Sequence, residues 1–209
     1  MVATTAMKTK IITFLLLPLM LDMLVACCDC DDPEKHIYTI DNLSIRSIDN
    51  RGSQPVEIDA GTVPKNAYGI KVRLPLRMVA YNRPAIRPLF STAAYATSCG
   101  CPPSLVYSPT DSIVSFKVVT LNNFDNQHPA GADVTSLFQV FKASNRSYQS
   151  IANYLASDAP VYNHKLDENV ELTLLLMQAP AEGQHQFHIE IKLSDNRLLS
   201  GSTSIITLQ

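Results

Sequence analysis

From Tyr68 to Met78 every second residue is large and apolar: Tyr68, Ile70, Val72, Leu74, Leu76 and Met78 alternate with Lys71, Arg73, Pro75 and Arg77. A helix with this pattern would bury charge, whereas a strand sends successive side chains to opposite faces, so the segment is constrained to a half-buried β-strand. Pro75 lacks the N–H of a central ladder and predicts an edge or a bulge. The same alternation returns in Val114, Phe116 and Val118, and again in Phe187, Ile189, Ile191 and Leu193. Val170 to Met177 is apolar nearly throughout, as a strand buried on both faces would be. Asp195-Asn196 offers a turn before Leu199 to Leu208, which predicts a C-terminal hairpin. His36 to Ile48 is also β-rich, with a phase shift at Asp41-Asn42 that predicts a bulge.

Two short helical turns interrupt the strands, one capped by Asp133 and carrying Leu137 and Phe138. The other is capped by Ser147, with Ile151, Tyr154 and Leu155 on one side. Residues 83–111 read as a proline-rich loop. About seven strands separated by turns predict a mainly all-β chain: an immunoglobulin-like antiparallel β-sandwich with one or two short helices. A barrel has the same periodicity.

The N-terminus sets the compartment. Lys8 and Lys10 precede sixteen mostly apolar residues, Ile11 to Ala26, interrupted by Thr13, Pro18 and Asp22. That run is short for a membrane span, which needs about 20 residues, and suits a secretory leader starting at Met1 or Met7. Leu24-Val25-Ala26-Cys27 resembles the lipobox of bacterial lipoproteins. The resemblance implies cleavage before Cys27, a diacylglyceryl group on its thiol and an N-acyl chain, and two or three chains give a stable anchor where one does not. The chain then divides into a leader (1–26), an acidic tether (27–35) and a β-sandwich domain (36–209). Cys28-Asp29-Cys30-Asp31-Asp32-Pro33-Glu34 resembles the surface-export signal of Bacteroidetes lipoproteins, although a run of like charge also reads as a solvated tether. The expected location is the outer membrane, facing outward or into the periplasm. Ala130 to Phe138 and the segment Phe187 to Leu208 are similar to uncharacterised Bacteroidetes lipoproteins, a resemblance that implies location and fold and no activity.

With Cys27 lipidated, Cys28, Cys30, Cys99 and Cys101 remain, an even set that outside the cytoplasm reads first as disulfides. Bridging within one Cys-x-Cys pair closes a small strained ring, which favours links between the two pairs. Such a link would span about 70 residues and contribute roughly 4 kcal/mol in the chain-entropy model. Zinc or copper(I) on four thiolates is the alternative, disfavoured because structural zinc sites use Cys-x-x-Cys spacing. No cofactor beyond the lipid, and no metal, is expected.

A formal net charge of −2 excludes the basic excess that nucleic acid binding requires. Lys71, Arg73 and Arg77 share one strand face and Arg83 and Arg87 follow, a stripe suited to an acidic glycan or to a solvated face. Tyr95 and Tyr107 in the loop are candidate sugar platforms, weakened by the absence of tryptophan. Asp111-Ser112-Ile113 resembles a Bacteroidetes O-glycosylation sequon, which implies a glycan on Ser112. Gly-x-Ser-x-Gly, Gly-rich phosphate loops and His-Glu-x-x-His are absent, and Asp167-Glu168 reads as a turn. The chain is therefore expected to be noncatalytic: a ligand- or glycan-binding module, with an adhesion or assembly module that binds an envelope protein as the alternative, and a hydrolase third.

Overall fold

The structure, a computed structural model, describes residues 34–82, 105–143, 145–158 and 169–209. Compactness divides the chain into a smaller unit, residues 1–36 and 81–106, and a larger one, 37–80 and 107–209. In the smaller unit the rings of His36 and Tyr81 meet edge-on at 4.7 Å.

The main sheet sets β3 (Val56–Ile58), β2 (Ser44–Asp49), β5 (Tyr68–Asn82), β10 (Asn169–Leu176), β8 (Phe138–Lys142) and β9 (Ser147–Ser150) side by side. β1 (Glu34–Ile40) joins β5, and β6 (Leu105–Pro109) joins β1. A second sheet is β13 (Leu198–Ser202), β12 (Phe187–Leu193) and β7 (Ile113–Thr120); a third is β11 (Gly183–His185), β14 (Ile206–Leu208) and β4 (Thr62–Val63). The ladders of β5 with β2 and β10, of β10 with β8, and of β12 with β7 and β13 are antiparallel, while β14 runs parallel to β4.

The inner faces meet in one core. Ile70, Val72, Leu74, Leu172, Leu174, Phe138 and Val140 of the main sheet pack with Phe116, Val118, Phe187, Ile189 and Ile191 of the second, and with Val63, Ile206 and Leu208 of the third. Phe187 is fully buried, stacks on Tyr68 at 5.5 Å and takes Phe138 edge-on at 5.4 Å. Each such side chain contributes about 1.5–3 kcal/mol by leaving water. The fold is a β-sandwich, mainly antiparallel, as the alternation predicts.

On the outer face Gly69 is closed over by its neighbours. An added Cβ would lie 2.6 Å from the Leu174 carbonyl oxygen, 2.8 Å from Leu175 Cδ2 and 2.9 Å from Ile48 Cγ1, so no larger residue fits without moving backbone.

Local departures from the sequence reading have local causes. The β5 pattern is buried through Leu74, but Met78, past the Asn169–Pro75 pair where the β10 ladder ends, is 53 % exposed. In β7 the inward residue changes from Phe116 to Ile113, leaving Val114 exposed. The β12 partners step from Lys192–Ser115 to Leu193–Ile113, a bulge that flips the face. The expected bulge at Asp41-Asn42 is present: the Asp41 N–H donates to the Pro75 carbonyl and Ser44 pairs with Arg73, so three steps on one strand oppose two on the other. The C-terminal hairpin is shorter than expected. Thr203, buried and bonded to Phe187 through both N–H and hydroxyl, ends β13, and β14 crosses to the third sheet. Asp133 does support the turn Thr135–Leu137, accepting from the Thr135 N–H at 2.9 Å, although the turn is 3-10 and Phe138 already begins β8. Ser147 starts β9 instead of capping a helix. Ser150 takes that role for α1 (Ile151–Asp158), its hydroxyl accepting the Asn153 N–H at 3.2 Å, and α1 packs Ile151, Tyr154 and Leu155 on the core. The loop read over 83–111 ends in strand β6, and Asp111 is buried.

Candidate functional site

The basic stripe of β5 lies on the outer face between acidic neighbours. Arg73 Nε donates to Glu171 at 2.8 Å across the β5–β10 ladder, while Nη1 and Nη2 donate to Glu57 from β3, the former at 3.1 Å. Lys71 Nζ stands 3.6 Å from Glu57 and 3.4 Å from Glu171. Hydrogen bonds from Arg73 hold both carboxyls below the ordinary glutamate value, against the opposing effect of partial burial. Arg77 Nε donates to Asp41 at 2.9 Å and Arg46 Nη1 to Asp59 at 2.8 Å. An anionic ligand here would have to displace these carboxylates. The partners stand 16 and 98 residues from Arg73 in sequence, so only the fold brings them together.

Asp111 opens the expected sequon and is 3 % exposed. Its carboxylate accepts from the Thr39 hydroxyl at 2.9 Å, from the Ile40 N–H at 3.2 Å, and from Arg197 Nη2. Arg197 also donates to the Ile40 carbonyl at 2.7 Å and, through Nε, to Asp195 in the β12–β13 turn at 2.5 Å. This clasp ties β1 to that turn. Ser112 is exposed; its N–H donates to Ser194 Oγ at 3.0 Å and its carbonyl accepts the Ser194 N–H at 2.9 Å.

The histidines go to separate places. His185 is buried against Phe124 and Phe187 and donates through Nε2 to the Ala181 carbonyl at 2.8 Å; His188 is on the outer side of β12, with Nδ1 2.9 Å from Ser202 Oγ. His128 closes a turn on Asp125, Nδ1 to Oδ1 2.8 Å. Burial pushes the Asp125 carboxyl up, and hydrogen bonds from His128 and Gln127 bring it below its ordinary value. Among the described residues no three His, Cys, Asp or Glu side chains gather where they could hold a metal ion, and no helix is long and apolar enough to cross a membrane. Cys27, Cys28, Cys30, Cys99, Cys101, Arg83, Arg87, Tyr95, the side chain of Tyr107, and Asp167-Glu168 lie outside the described residues.

A cleft of about 290 Å³ opens among Asn50, Lys65, Asn66, Ala67, Tyr148, Met177 and Ala179, with Tyr68, Leu175 and Leu176 also lining it. Tyr68 is wholly buried, and that burial pushes its phenol up to about 12, even though its hydroxyl lies 3.0 Å from Ser47 Oγ. The walls are held by backbone: Asn50 N–H to the Ala67 carbonyl at 2.9 Å, Ala67 N–H to Pro64 at 2.8 Å and Lys65 N–H to Gln209 at 3.0 Å. Tyr148, 52 % exposed, leans on Phe141 at 5.4 Å. Its hydroxyl and the Asn50 and Asn66 carboxamides have no hydrogen-bond partner among the described residues. Lys65 Nζ lies 3.5 Å from Glu182. An aromatic face beside free amides can stack a ring and bond its hydroxyls, and the volume suits a group of one-sugar size. Sequence reasoning missed this site, because Ser147-Tyr148-Gln149-Ser150 reads locally as a helix start.

The architecture and this cleft define a class: a β-sandwich domain with a small, mainly uncharged surface cleft. The chain belongs to the family described as Domain of unknown function (DUF5034), which matches residues 40–204. No curated protein matches it. Among solved structures the chain is loosely similar to the C-terminal domain of the Streptococcus agalactiae AgI/II polypeptide BspA, at 9 % identity and TM-score 0.28, covering 79 % of this chain and 49 % of that one. It is likewise loosely similar to the C-terminal domain of the Streptococcus pyogenes antigen I/II-family protein AspA, at 12 % identity and TM-score 0.27, covering 79 % of this chain and 46 % of that one. The chain thus spans about half the length of the solved domains it matches.

Proposed function

We propose that the chain is a lipid-anchored, noncatalytic module of the bacterial outer membrane that binds a neutral glycan through the Tyr148 cleft. The observation that carries the ligand reading is the half-exposed Tyr148 ring, backed by Phe141 and lining one cleft with the carboxamides of Asn50 and Asn66, which have no hydrogen-bond partner among the described residues. Neutrality follows from charge matching, since Lys65, Lys71, Arg73 and Arg77 each already face a carboxylate. The anchor rests on the Lys8–Cys27 leader, with the lipid carried on Cys27. The expected Arg83–Asp111 ligand loop lies largely outside the described residues, so the cleft is the better-supported site.

The test is a glycan array followed by titration calorimetry with the strongest neutral hit. Removing an aromatic platform costs about 1–2 kcal/mol, so Tyr148→Ala should weaken binding roughly five- to thirtyfold with the circular dichroism spectrum unchanged. A chain that binds no neutral glycan, or binds it equally well without Tyr148, refutes the reading.

A further inference from the structure

The edges of the described sheets are guarded unequally. The outer edge of β7 is covered: Val134 N–H donates to the Val118 carbonyl at 2.9 Å, Thr120 N–H to Ala132 at 3.0 Å, Gly131 N–H to Thr120 at 2.7 Å, and Val118 N–H to Thr135 Oγ1 at 2.8 Å. β3, β4 and β11 are two or three residues long, and β3 carries Glu57. Short, charged or covered edges are the usual protection against pairing with another chain. Among the described residues β13 has none of these. Leu198-Leu199-Ser200-Gly201-Ser202 has no charge and no proline, and its ladder with β12 is unbroken.

The register says which groups are free. Leu193 N–H bonds the Arg197 carbonyl, and Thr203 N–H bonds the Phe187 carbonyl. Bonded pairs recur every second residue in an antiparallel ladder, so Leu199 and Gly201 bond β12 while Leu198, Ser200 and Ser202 turn N–H and C=O outward. Those groups have no backbone partner among the described residues.

We infer that β13 is a self-association edge, on which β13 of a second copy pairs antiparallel about a two-fold axis at Ser200. The strand complements itself. Pairing about Ser200 sets Leu199 opposite Gly201 on the inner face, and Leu198, 62 % exposed, opposite Ser202 on the outer face, large against small on both sides of the central Ser200 pair. No like charges meet at the seam, and the three outward residues of each copy can exchange six backbone hydrogen bonds. A five-residue seam is small, so the dimer is weak, with a dissociation constant on the order of 10 µM or above.

Sedimentation equilibrium of the full chain in density-matched detergent tests this. Wild type should show a monomer–dimer equilibrium. Ser200→Lys, at an exposed position facing its own copy, should weaken association at least tenfold. Under mild oxidation Ser200→Cys should give a covalent dimer above the wild-type background, because Cα atoms in a bonded antiparallel pair lie about 5.5 Å apart, within disulfide reach. Leu198→Cys should not, since its counterpart lies four residues away. Wild type monomeric at all concentrations, Ser200→Lys associating as wild type does, or cross-linking at Leu198 in place of Ser200 would each overturn the inference.

Discussion

The Asp111 clasp allows the sharpest test of the fold. In Asp111→Ala the buried Ile40 N–H loses its acceptor, which costs about 1–3 kcal/mol for an orphaned donor. Thr39 and Arg197 lose a partner but keep each other, and Arg197 retains Asp195 and the Ile40 carbonyl. Because the Arg197 side chain is 39 % exposed, water screens its loss to about 0.5–1 kcal/mol. The sum is about 3 kcal/mol, at the foot of the roughly 3–5 kcal/mol seen when a fully buried pair is broken. Asp111→Asn keeps a carbonyl oxygen for Ile40 but puts an NH2 group where Oδ2 accepted from Thr39 and Arg197, so about 1–1.5 kcal/mol is expected. The assay is urea unfolding at pH 7 followed by far-ultraviolet circular dichroism, since the chain has no tryptophan to report by fluorescence. Equal losses for the two variants, or a loss below about 1 kcal/mol for Asp111→Ala, would show that the carboxylate does not hold β1 in place. The result also bears on Ser112: changing Asp111 perturbs the fold, so glycosylation must be tested by the mass change on Ser112→Ala.

Acid stability should follow the outer-face carboxylates. Glu57 and Glu171 titrate below the ordinary value of 4.5 because the folded state favours their charged form. Their contribution is therefore complete above about pH 4.5 and fades as pH falls through the lowered folded values, and Arg73→Met should flatten that limb of a melting-temperature profile. At the N-terminus, Cys27→Ala should leave an unprocessed precursor without lipid mass, and globomycin should do the same to wild type; normal maturation of the variant would remove the anchor from the proposal.

Period-two patterning is a local property, so Tyr68–Leu74 and Phe187–Leu193 could be read directly as strands and as halves of one core; Val170–Leu176 is also a strand, but not one buried on both faces, since Glu171 is exposed and Met177 beyond it is 53 % exposed. The bulge at Asp41-Asn42 was legible for the same reason, because a phase shift is visible wherever alternation is. The proposed leader and the lipobox-like Leu24–Cys27 are likewise contiguous in sequence, so reading them needs nothing of the fold.

Long-range pairing decided the remainder. Whether a basic side chain is free depends on what the neighbouring strand sets opposite it, and Glu57 and Glu171 reach Arg73 only once β3 and β10 take their places in the sheet. Asp111 reads as part of a surface tripeptide until β1 and the β12–β13 turn close on it. Tyr148 reads as a helix start until β9 pairs with β8 and turns its ring toward the cleft. Sequence by itself determined where the strongly alternating strands run and which of their faces is apolar, since a backbone repeat needs only near neighbours, whereas β6 and β9 carry no such repeat. Tertiary structure alone decided which charges are matched, which edge is bare and where a ligand could sit, because electrostatic and hydrogen-bond complementarity depend on distance in space.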